Sequence, residues 1–246
     1  MPRDERPLEA DLNDPRIPAA LLSGELELLG LLPNSSNYTF LARATSDDDQ
    51  VLAVYKPRRG EMPLWDFPEG TLCRREVAAY VVARELGWPN VPPTVLREGP
   101  EGLGSTQLFV EFDPSQHYFT LEGTHAAEFR RVALFDIVVN NADRKGGHCL
   151  LARDGTIWVV DHGVCFNEES KLRTVIWEHA GERIPDDLLS DVRGLGERLR
   201  GDLREELDEL LSANELNALD ERIDSVLAAG AFPEPGPGRP YPWPPL

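Results

Sequence analysis

Two aspartates stand at opposite ends of a short predicted hairpin, in an order that suits phosphoryl transfer. Asp143 lies in a polar loop after the apolar run FDIVV, and Asp161 ends the apolar run TIWVV, with a turn at 153–155 between them. A carboxylate in such a loop can orient an attacking hydroxyl, and a carboxylate that ends a buried strand can hold Mg²⁺, which prefers oxygen ligands. The pair therefore predicts a catalytic acid at Asp143 and a metal-binding acid at Asp161.

A lysine and a glutamate earlier in the chain offer the cation that this chemistry needs. Lys56 ends the β-favouring run VLAVYK, and Glu76 lies in the next predicted helix, against its apolar stripe. A helix that follows the lysine strand can pack beside it and direct a carboxylate at the ammonium group, which then binds phosphate. Glu85, nearer the end of the same helix, is the rival partner. We expect Lys56 to bind nucleotide phosphates and Glu76 to hold it in place.

The turn between the first two predicted strands is a candidate phosphate-binding loop. It contains Ser35, Ser36 and Asn37 and has no glycine. Hydroxyls and exposed backbone N–H groups in a turn can cradle phosphate. An ordinary hairpin turn explains the same residues equally well. Both interpretations stay open for these three residues.

The histidines and cysteines near the hairpin offer an alternative, a zinc site. The four side chains concerned are His148, Cys149, His162 and Cys165. His148 and Cys149 are adjacent at the start of a predicted strand, so their side chains point to opposite faces, and a Cys-x-x-Cys hook is absent from the sequence. The spacing therefore disfavours zinc.

The first half of the chain has the pattern of a small antiparallel sheet with one long helix. Alternating or β-favouring runs bounded by turn residues predict a three-stranded meander and then a hairpin, with strands at 25–32, 38–45, 50–56, 94–97 and 106–112. A short helix is predicted at 19–24 and a long one at 71–86. Thr71 is expected to cap the long helix and Gly87 to end it.

The second half of the chain is predicted to be mainly helical. After a linker at 113–123, apolar residues at helical spacing predict helices at 125–139, 186–199, 202–211 and 214–229. The domain prediction is an N-terminal arm, an N-lobe, a C-lobe and a proline-rich tail, at 1–18, 19–112, 113–231 and 232–246. The tail is expected to be extended or disordered, with Tyr241 and Trp243 as the residues that could pack on the body.

Composition limits the partners and the compartment. The chain has 246 residues, 41% of them hydrophobic, which is enough for a substantial core, and 43 acidic against 25 basic residues give a net charge of −18. Nucleic-acid binding depends on neutralising phosphates, so this balance disfavours it. The sequence contains three scattered cysteines, a charged N-terminus and no apolar run of 18 residues. We therefore expect an intracellular, cytoplasmic protein with reduced thiols and no integral membrane association.

Four motifs in order resemble a known enzyme superfamily. VYKP at 54–57, REVAAYVVARELG at 75–87, NNADR at 140–144 and VVDHG at 159–163 resemble the phosphatidylinositol 3- and 4-kinases, especially the type II 4-kinases, and the HipA-type kinases; an actinobacterial type of kinase-like protein is suspected. The resemblance implies an α+β, two-lobed protein-kinase-like fold that binds ATP and Mg²⁺ and transfers the γ-phosphoryl group to a hydroxyl. It also implies that the hinge residues Glu111, Phe112 and Asp113 meet the adenine.

The sequence departs from those families inside the catalytic loop. They usually read Asp-Arg-His, two further residues, then Asn, whereas here Lys145 replaces the histidine and His148 stands in the place of the metal-binding asparagine. Imidazole suits softer metals than Mg²⁺. The resemblance therefore leaves three readings of His148: the second metal is lost, Mn²⁺ is favoured, or His148 has another role. A nucleotide-binding pseudokinase and an AMP transferase are the alternatives to a kinase, and the phosphoryl acceptor is a protein, a small molecule or a lipid.

Overall fold

A computed structural model describes residues 16–33, 37–47 and 49–246 of the chain, with the backbone alone for residues 16–19. It divides the protein into two compact units, one from Met1–Val77 with Pro92–Val110 and one from Ala78–Val91 with Glu111–Leu246. Helix α2 (Leu72–Leu86) begins in the first unit and ends in the second. The N-terminal arm predicted up to residue 18 lies mostly outside the described residues, and helix α1 (Arg16–Ser23) begins within it.

The first unit is built on a five-stranded antiparallel sheet. The strands are β1 (Glu25–Leu31), β2 (Phe40–Ser46), β3 (Asp49–Pro57), β4 (Thr94–Gly99) and β5 (Gly102–Leu108), in the order β1-β2-β3-β5-β4. The predicted meander and hairpin are confirmed, but β5 begins and ends four residues before the predicted range of 106–112. The hairpin joins the meander through β5, which pairs with β3 so that Lys56 lies opposite Ser105.

Strand β3 shows how this sheet positions Lys56. Val51, Ala53 and Tyr55 alternate towards a core that also contains Ala20 and Leu21 of helix α1. Because side chains alternate along a strand, Lys56 faces the opposite side of the sheet from that core. The apolar residues of VLAVYK thus fix the strand and leave the lysine side chain 21% exposed.

The start of helix α2 differs from the prediction. Thr71 was expected to cap it, but the carboxylate of Glu61 accepts the N–H groups of Leu72 at 3.2 Å and Cys73 at 2.8 Å. A carboxylate at this position accepts hydrogen bonds from two N–H groups that have no partner within the helix, and its negative charge is stabilised by the positive end of the helix dipole. The predicted end is confirmed, since Gly87 has φ +78° and its N–H bonds to Ala83 O.

The second unit is mainly helical, as predicted, with one small sheet. Its helices are α3 (Tyr118–Leu121), α4 (Ala126–Val138), α5 (Asp186–Leu199), α6 (Asp202–Asp208) and α7 (Ala213–Ala229), and its hairpin is β6 (Cys149–Leu151) with β7 (Ile157–Val159). Helix α3 replaces part of the predicted linker. The core of this unit comes from one stripe of each long helix, including Phe129, Val132, Phe135, Leu188, Val192, Leu195, Leu216, Leu219 and Ile223. Mixed α and β structure with an antiparallel sheet confirms the predicted fold class.

The proline-rich tail is part of the second unit and contacts the rest of it through backbone hydrogen bonds. Pro240 O accepts the Thr174 N–H at 3.0 Å, and Pro245 O accepts the Gly146 N–H at 2.8 Å. Tyr241 and Trp243, the residues of the tail that could pack on the body, are 48% and 78% exposed. In the part of the chain that the structure describes, no helix has the length and apolarity of a membrane span.

Candidate active site

Lys56 and Glu76 form an ion pair within the first unit. Glu76 Oε1 accepts a hydrogen bond from Lys56 Nζ, and the Glu76 side chain is only 4% exposed. A buried carboxylate is costly unless a cation compensates it, so the lysine stabilises Glu76 while Glu76 fixes the ammonium group. The rival, Glu85, pairs with Arg198 at 3.1 Å in the second unit. Glu85 of α2 thus forms an ion pair with α5, whereas Glu76 is the partner of Lys56.

The predicted phosphate-binding turn is described only in part. Ser35 and Ser36 lie outside the described residues. Asn37 is described, and its Oδ1 accepts the Met62 N–H at 2.7 Å. The Asn37 side chain thereby fastens the turn to the segment after β3. Its predicted contact with nucleotide stays a prediction.

The predicted hinge residues are attached to the β6–β7 hairpin. Asp113 N–H donates to Leu151 O at 3.0 Å, Phe112 forms a β-bridge with Ala152, and Glu111 pairs with Arg153 at 3.0 Å. Asp113 also accepts the Ser115 N–H and hydroxyl at 2.9 and 2.6 Å, and these two hydrogen bonds lower its pKa. The carboxylate therefore closes a turn, and the backbone of this stretch is set by the hairpin.

Asp143 lies in a rigid loop that begins at the end of helix α4. Its N–H donates to Asn141 Oδ1 at 3.0 Å, and its carboxylate lies 3.3 Å from Lys145 Nζ, with the Asp143 side chain 35% exposed. Burial raises the pKa of Asp143, the charge of Asp161 raises it further, and Lys145 opposes both. The structure thus brings the two aspartates of the hairpin near each other, with a lysine beside the first.

Asp161 has an uncommon backbone conformation and a histidine partner. Its φ is +63°, in the left-handed region where Asp and Asn are among the few enriched residues other than glycine. Its Oδ2 lies 3.3 Å from His148 Nε2, and the Asp161 side chain is 52% exposed. His148 Nδ1 accepts the Lys145 N–H at 3.3 Å, which orients the ring. The two predicted metal ligands are therefore adjacent.

Sequence reasoning missed the buried ion pair that supports this loop. The guanidinium of Arg144 donates to Asp136 of helix α4 at 2.9–3.1 Å, and both side chains are 0% exposed. Arg144 also donates to Val160 O at 2.9 Å and contacts His162 Nε2 at 2.7 Å, so it links the loop to both neighbours of Asp161. A signal was available, because Asp136 is the one charged residue in the apolar run FDIVV.

The geometry also bears on the zinc alternative. Cys149, His162 and Cys165 are fully buried, and burial raises the pKa of the Cys149 thiol to about 12. The raised pKa means that Cys149 is present as the thiol and not as the thiolate in the metal-free protein. Within residues 16–33, 37–47 and 49–246, no group of three or more His, Cys, Asp or Glu side chains is arranged to hold a metal ion.

Known proteins share this sequence and fold. The family model for phosphatidylinositol 3- and 4-kinase matches residues 94–212. Protein Rv2133c of Mycobacterium tuberculosis is 40% identical over 261 residues, which cover 92% of this chain and 94% of that protein. A solved structure, the Helicobacter pylori proinflammatory kinase CtkA, superposes with a TM-score of 0.55 at 12% identity, over 86% of this chain and 94% of that one. The fold is thus that of a kinase.

Sequence identity extends to plant lipid kinases over a shorter stretch. Phosphatidylinositol 4-kinase gamma 4 of Oryza sativa subsp. japonica is 33% identical over 128 residues, which cover 44% of this chain and 22% of that protein. The protein of the same name from Arabidopsis thaliana is 32% identical over 135 residues, or 44% of this chain and 24% of that protein. The chain therefore belongs to the same family as Protein Rv2133c, and its residues 94–212 match the phosphatidylinositol 3- and 4-kinase model. It spans about a quarter or less of these two plant kinases.

Proposed function

We propose that this protein is an ATP-dependent phosphotransferase that moves the γ-phosphoryl group of ATP to a hydroxyl of an acceptor. The observation that carries the proposal is that Asp143 and Asp161, at the two ends of the β6–β7 hairpin, lie close enough for the charge of Asp161 to act on the carboxyl group of Asp143. Two such carboxylates serve different tasks in phosphoryl transfer, one at the nucleophile and one at the metal. The family assignment supports the same reaction class.

In this proposal each residue has one task. Lys56, held by the buried carboxylate of Glu76, binds the phosphates of ATP. Asp143 accepts a hydrogen bond from the acceptor hydroxyl and orients it, and its raised pKa favours uptake of the proton. Glu111 to Asp113 and the turn at 35–37 are proposed to contact the nucleotide.

Asp161 and His148 would hold a divalent metal, and they offer it one oxygen donor and one nitrogen donor. Asp161 supplies the hard carboxylate oxygen that Mg²⁺ prefers, whereas His148 supplies an imidazole nitrogen that suits Mn²⁺ better. When bound, the metal neutralises phosphate charge. The 3.3 Å distance between His148 Nε2 and Asp161 Oδ2 supports a shared role of the two side chains at one metal.

A second candidate, a nucleotide-binding module without turnover, is favoured by that same contact. Through this contact, His148 occupies an oxygen of Asp161 that a metal cation would otherwise bind. Turnover must therefore be measured and not inferred from binding.

The test separates binding from chemistry. ATP binding is measured by thermal shift with Mg²⁺ or Mn²⁺, and release of γ-phosphate is measured for the wild type, Asp143→Asn and Lys56→Met. We expect turnover to fall by at least about 10²-fold in Asp143→Asn with ATP binding retained, and binding to weaken in Lys56→Met. Asp187→Asn, an exposed aspartate in the first turn of α5, is the matched control and should behave as wild type.

Two outcomes would contradict the kinase proposal. Equal phosphate release by wild type and Asp143→Asn, with ATP bound by both, would refute the enzyme and favour the binding module. Release of pyrophosphate in place of phosphate would identify an AMP transferase. Acceptor assays then compare protein, a small polyol and phosphatidylinositol vesicles, the last because the plant relatives carry that lipid in their names.

A further inference from the structure

The second unit contains a basic cavity in a strongly acidic protein. The cavity has a volume of about 670 Å³ and lies between the segment 170–173, helix α7 and the proline-rich tail. Four basic side chains and one acidic side chain, Glu234, line it, so the charged residues of the lining have a net charge of +3. The basic residues are Lys171, Arg173, Arg222 and Arg239. The whole chain carries a net charge of −18, so composition alone does not produce such a lining.

Arg222 of helix α7 is the central cation of this cavity. Its Nε donates to Val138 O at 3.0 Å and its Nη1 donates to Asn167 O at 3.1 Å. Its Nη2 is buried and has no hydrogen-bond acceptor among the described residues. Burial lowers the pKa of Arg222 to about 10, and nearby Glu215 and Glu221 do not offset this effect. Arg222 is partly buried and its acceptors are neutral carbonyl groups, so a bound anion would supply a counter-charge that these groups do not.

Asn140 lies beside Arg222 and fixes the neighbouring part of the lining, since both side chains donate to Asn167 O. The Asn140 side chain donates to Asn167 O at 2.9 Å and to Glu169 O at 2.6 Å, and its Oδ1 accepts the Lys171 N–H at 2.8 Å. These three bonds hold the backbone that carries Lys171, whose side chain is 9% exposed and lies 3.2 Å from Glu169. A basic wall that is already ordered binds an anion at a lower entropic cost.

We propose that this cavity binds a phosphate-bearing small molecule, with Arg222, Lys171, Arg173 and Arg239 on the phosphate. Guanidinium groups bind phosphate through paired, charge-assisted hydrogen bonds, and four cations suit a multiply charged anion. The volume lies in the range of small-molecule sites, about 300–1,000 Å³, and so leaves room for more than the phosphate group. Lys56, Asp143 and Asp161 do not line the cavity, so the proposal is independent of the proposed reaction.

Inorganic pyrophosphate is the probe, measured by isothermal titration calorimetry on the full chain with EDTA present. Wild type is expected to bind it, and Arg173→Gln and Arg239→Gln are expected to bind about tenfold more weakly, because each loses one hydrogen-bonded charge. Arg193→Gln removes the same charge from an exposed position of α5 outside the cavity and should match wild type. Folding of each variant is checked by its thermal midpoint.

Two results would overturn the proposal. One is the absence of heat from pyrophosphate at millimolar concentration with folded wild-type protein. The other is binding that is unchanged in Arg173→Gln and Arg239→Gln but lost in Lys56→Met, which would place the anion at the proposed ATP site.

The phosphate could be carried by a soluble molecule or by a lipid headgroup. Sedimentation with phosphatidylcholine vesicles, with and without phosphatidic acid, separates the two sources. Binding to pyrophosphate without sedimentation supports a soluble ligand. Sedimentation that needs phosphatidic acid, and that pyrophosphate reverses in wild type, supports a lipid phosphate in the same cavity.

Discussion

The buried pair of Asp136 and Arg144 gives the sharpest stability prediction. In Asp136→Asn the side chain keeps its size but loses its charge. Its new NH₂ group, itself a donor, faces groups that now donate hydrogen bonds to the Asp136 carboxylate. Those donors are the guanidinium of Arg144, the amide of Asn141 at 2.9 Å and the hydroxyl of Thr174 at 3.4 Å. The substitution therefore leaves a buried cation without its anion.

The expected cost follows from the burial of both partners. Both side chains are 0% exposed, so solvent does not screen the lost interaction. Breaking one side of such a pair costs about 3–5 kcal/mol, a large share of a total stability of about 5–15 kcal/mol. For a protein of this size that corresponds to a fall in Tm of about 10 °C.

Urea unfolding, followed by circular dichroism, measures the effect. Asp224→Asn is the matched control, because it makes the same change in an exposed pair with Arg200, at 2.7 Å, where Asp224 is 61% exposed. The control should lose less than about 1 kcal/mol. The double variant Asp136→Leu with Arg144→Met should be more stable than Asp136→Asn, since no charge stays buried. A loss below about 1 kcal/mol in Asp136→Asn would refute the reasoning.

Three further predictions concern other parts of the molecule. Burial raises the pKa of Asp143, so the charged form of this residue opposes folding as the pH rises past the ordinary carboxyl pKa. Asp143→Asn should therefore raise the urea midpoint of unfolding at pH 7 but not near pH 3.5. A lower midpoint at pH 7 would contradict this prediction. Gly104→Ala should cost about 2 kcal/mol in thermal unfolding, because its Cβ would lie 2.5 Å from Lys56 O, whereas Gly30→Ala meets no atom within 4 Å and should cost less. All the cysteines are buried, so native protein should react with a thiol reagent far more slowly than urea-unfolded protein; one fast thiol in the native state would count against this packing.

The sequence predicted the fold well wherever a period or a turn residue carried the information. The alternation of Val51, Ala53 and Tyr55 marked strand β3, and a glycine with left-handed φ ended helix α2 at Gly87. The cap of that helix was missed because Glu61 lies 11 residues before Leu72. Capping patterns are local, whereas this carboxylate reaches the helix through the loop after β3.

The charged residues of the candidate site could be predicted from the sequence, but the buried ion pair that holds the Asp143 loop could not. Lys56, Glu76, Asp143 and Asp161 were chosen for charge at the ends of apolar runs, and their functional roles stay predictions. The pair of Asp136 with Arg144 was missed because a charge inside an apolar run has no visible partner in one dimension. Only packing shows which cation meets it.

The contacts of the proline-rich tail set limits on where the protein can be divided. The family match ends at residue 212, but α7 follows it with Leu216, Leu219 and Ile223 fully buried, and the carbonyl groups of Pro240 and Pro245 accept the N–H groups of Thr174 and Gly146. A fragment trimmed to the family boundary, or a filter that discards proline-rich sequence, would therefore remove part of the hydrophobic core and a hydrogen bond to the loop that carries Asp143. A minimal expressed domain should instead retain every residue through the tail.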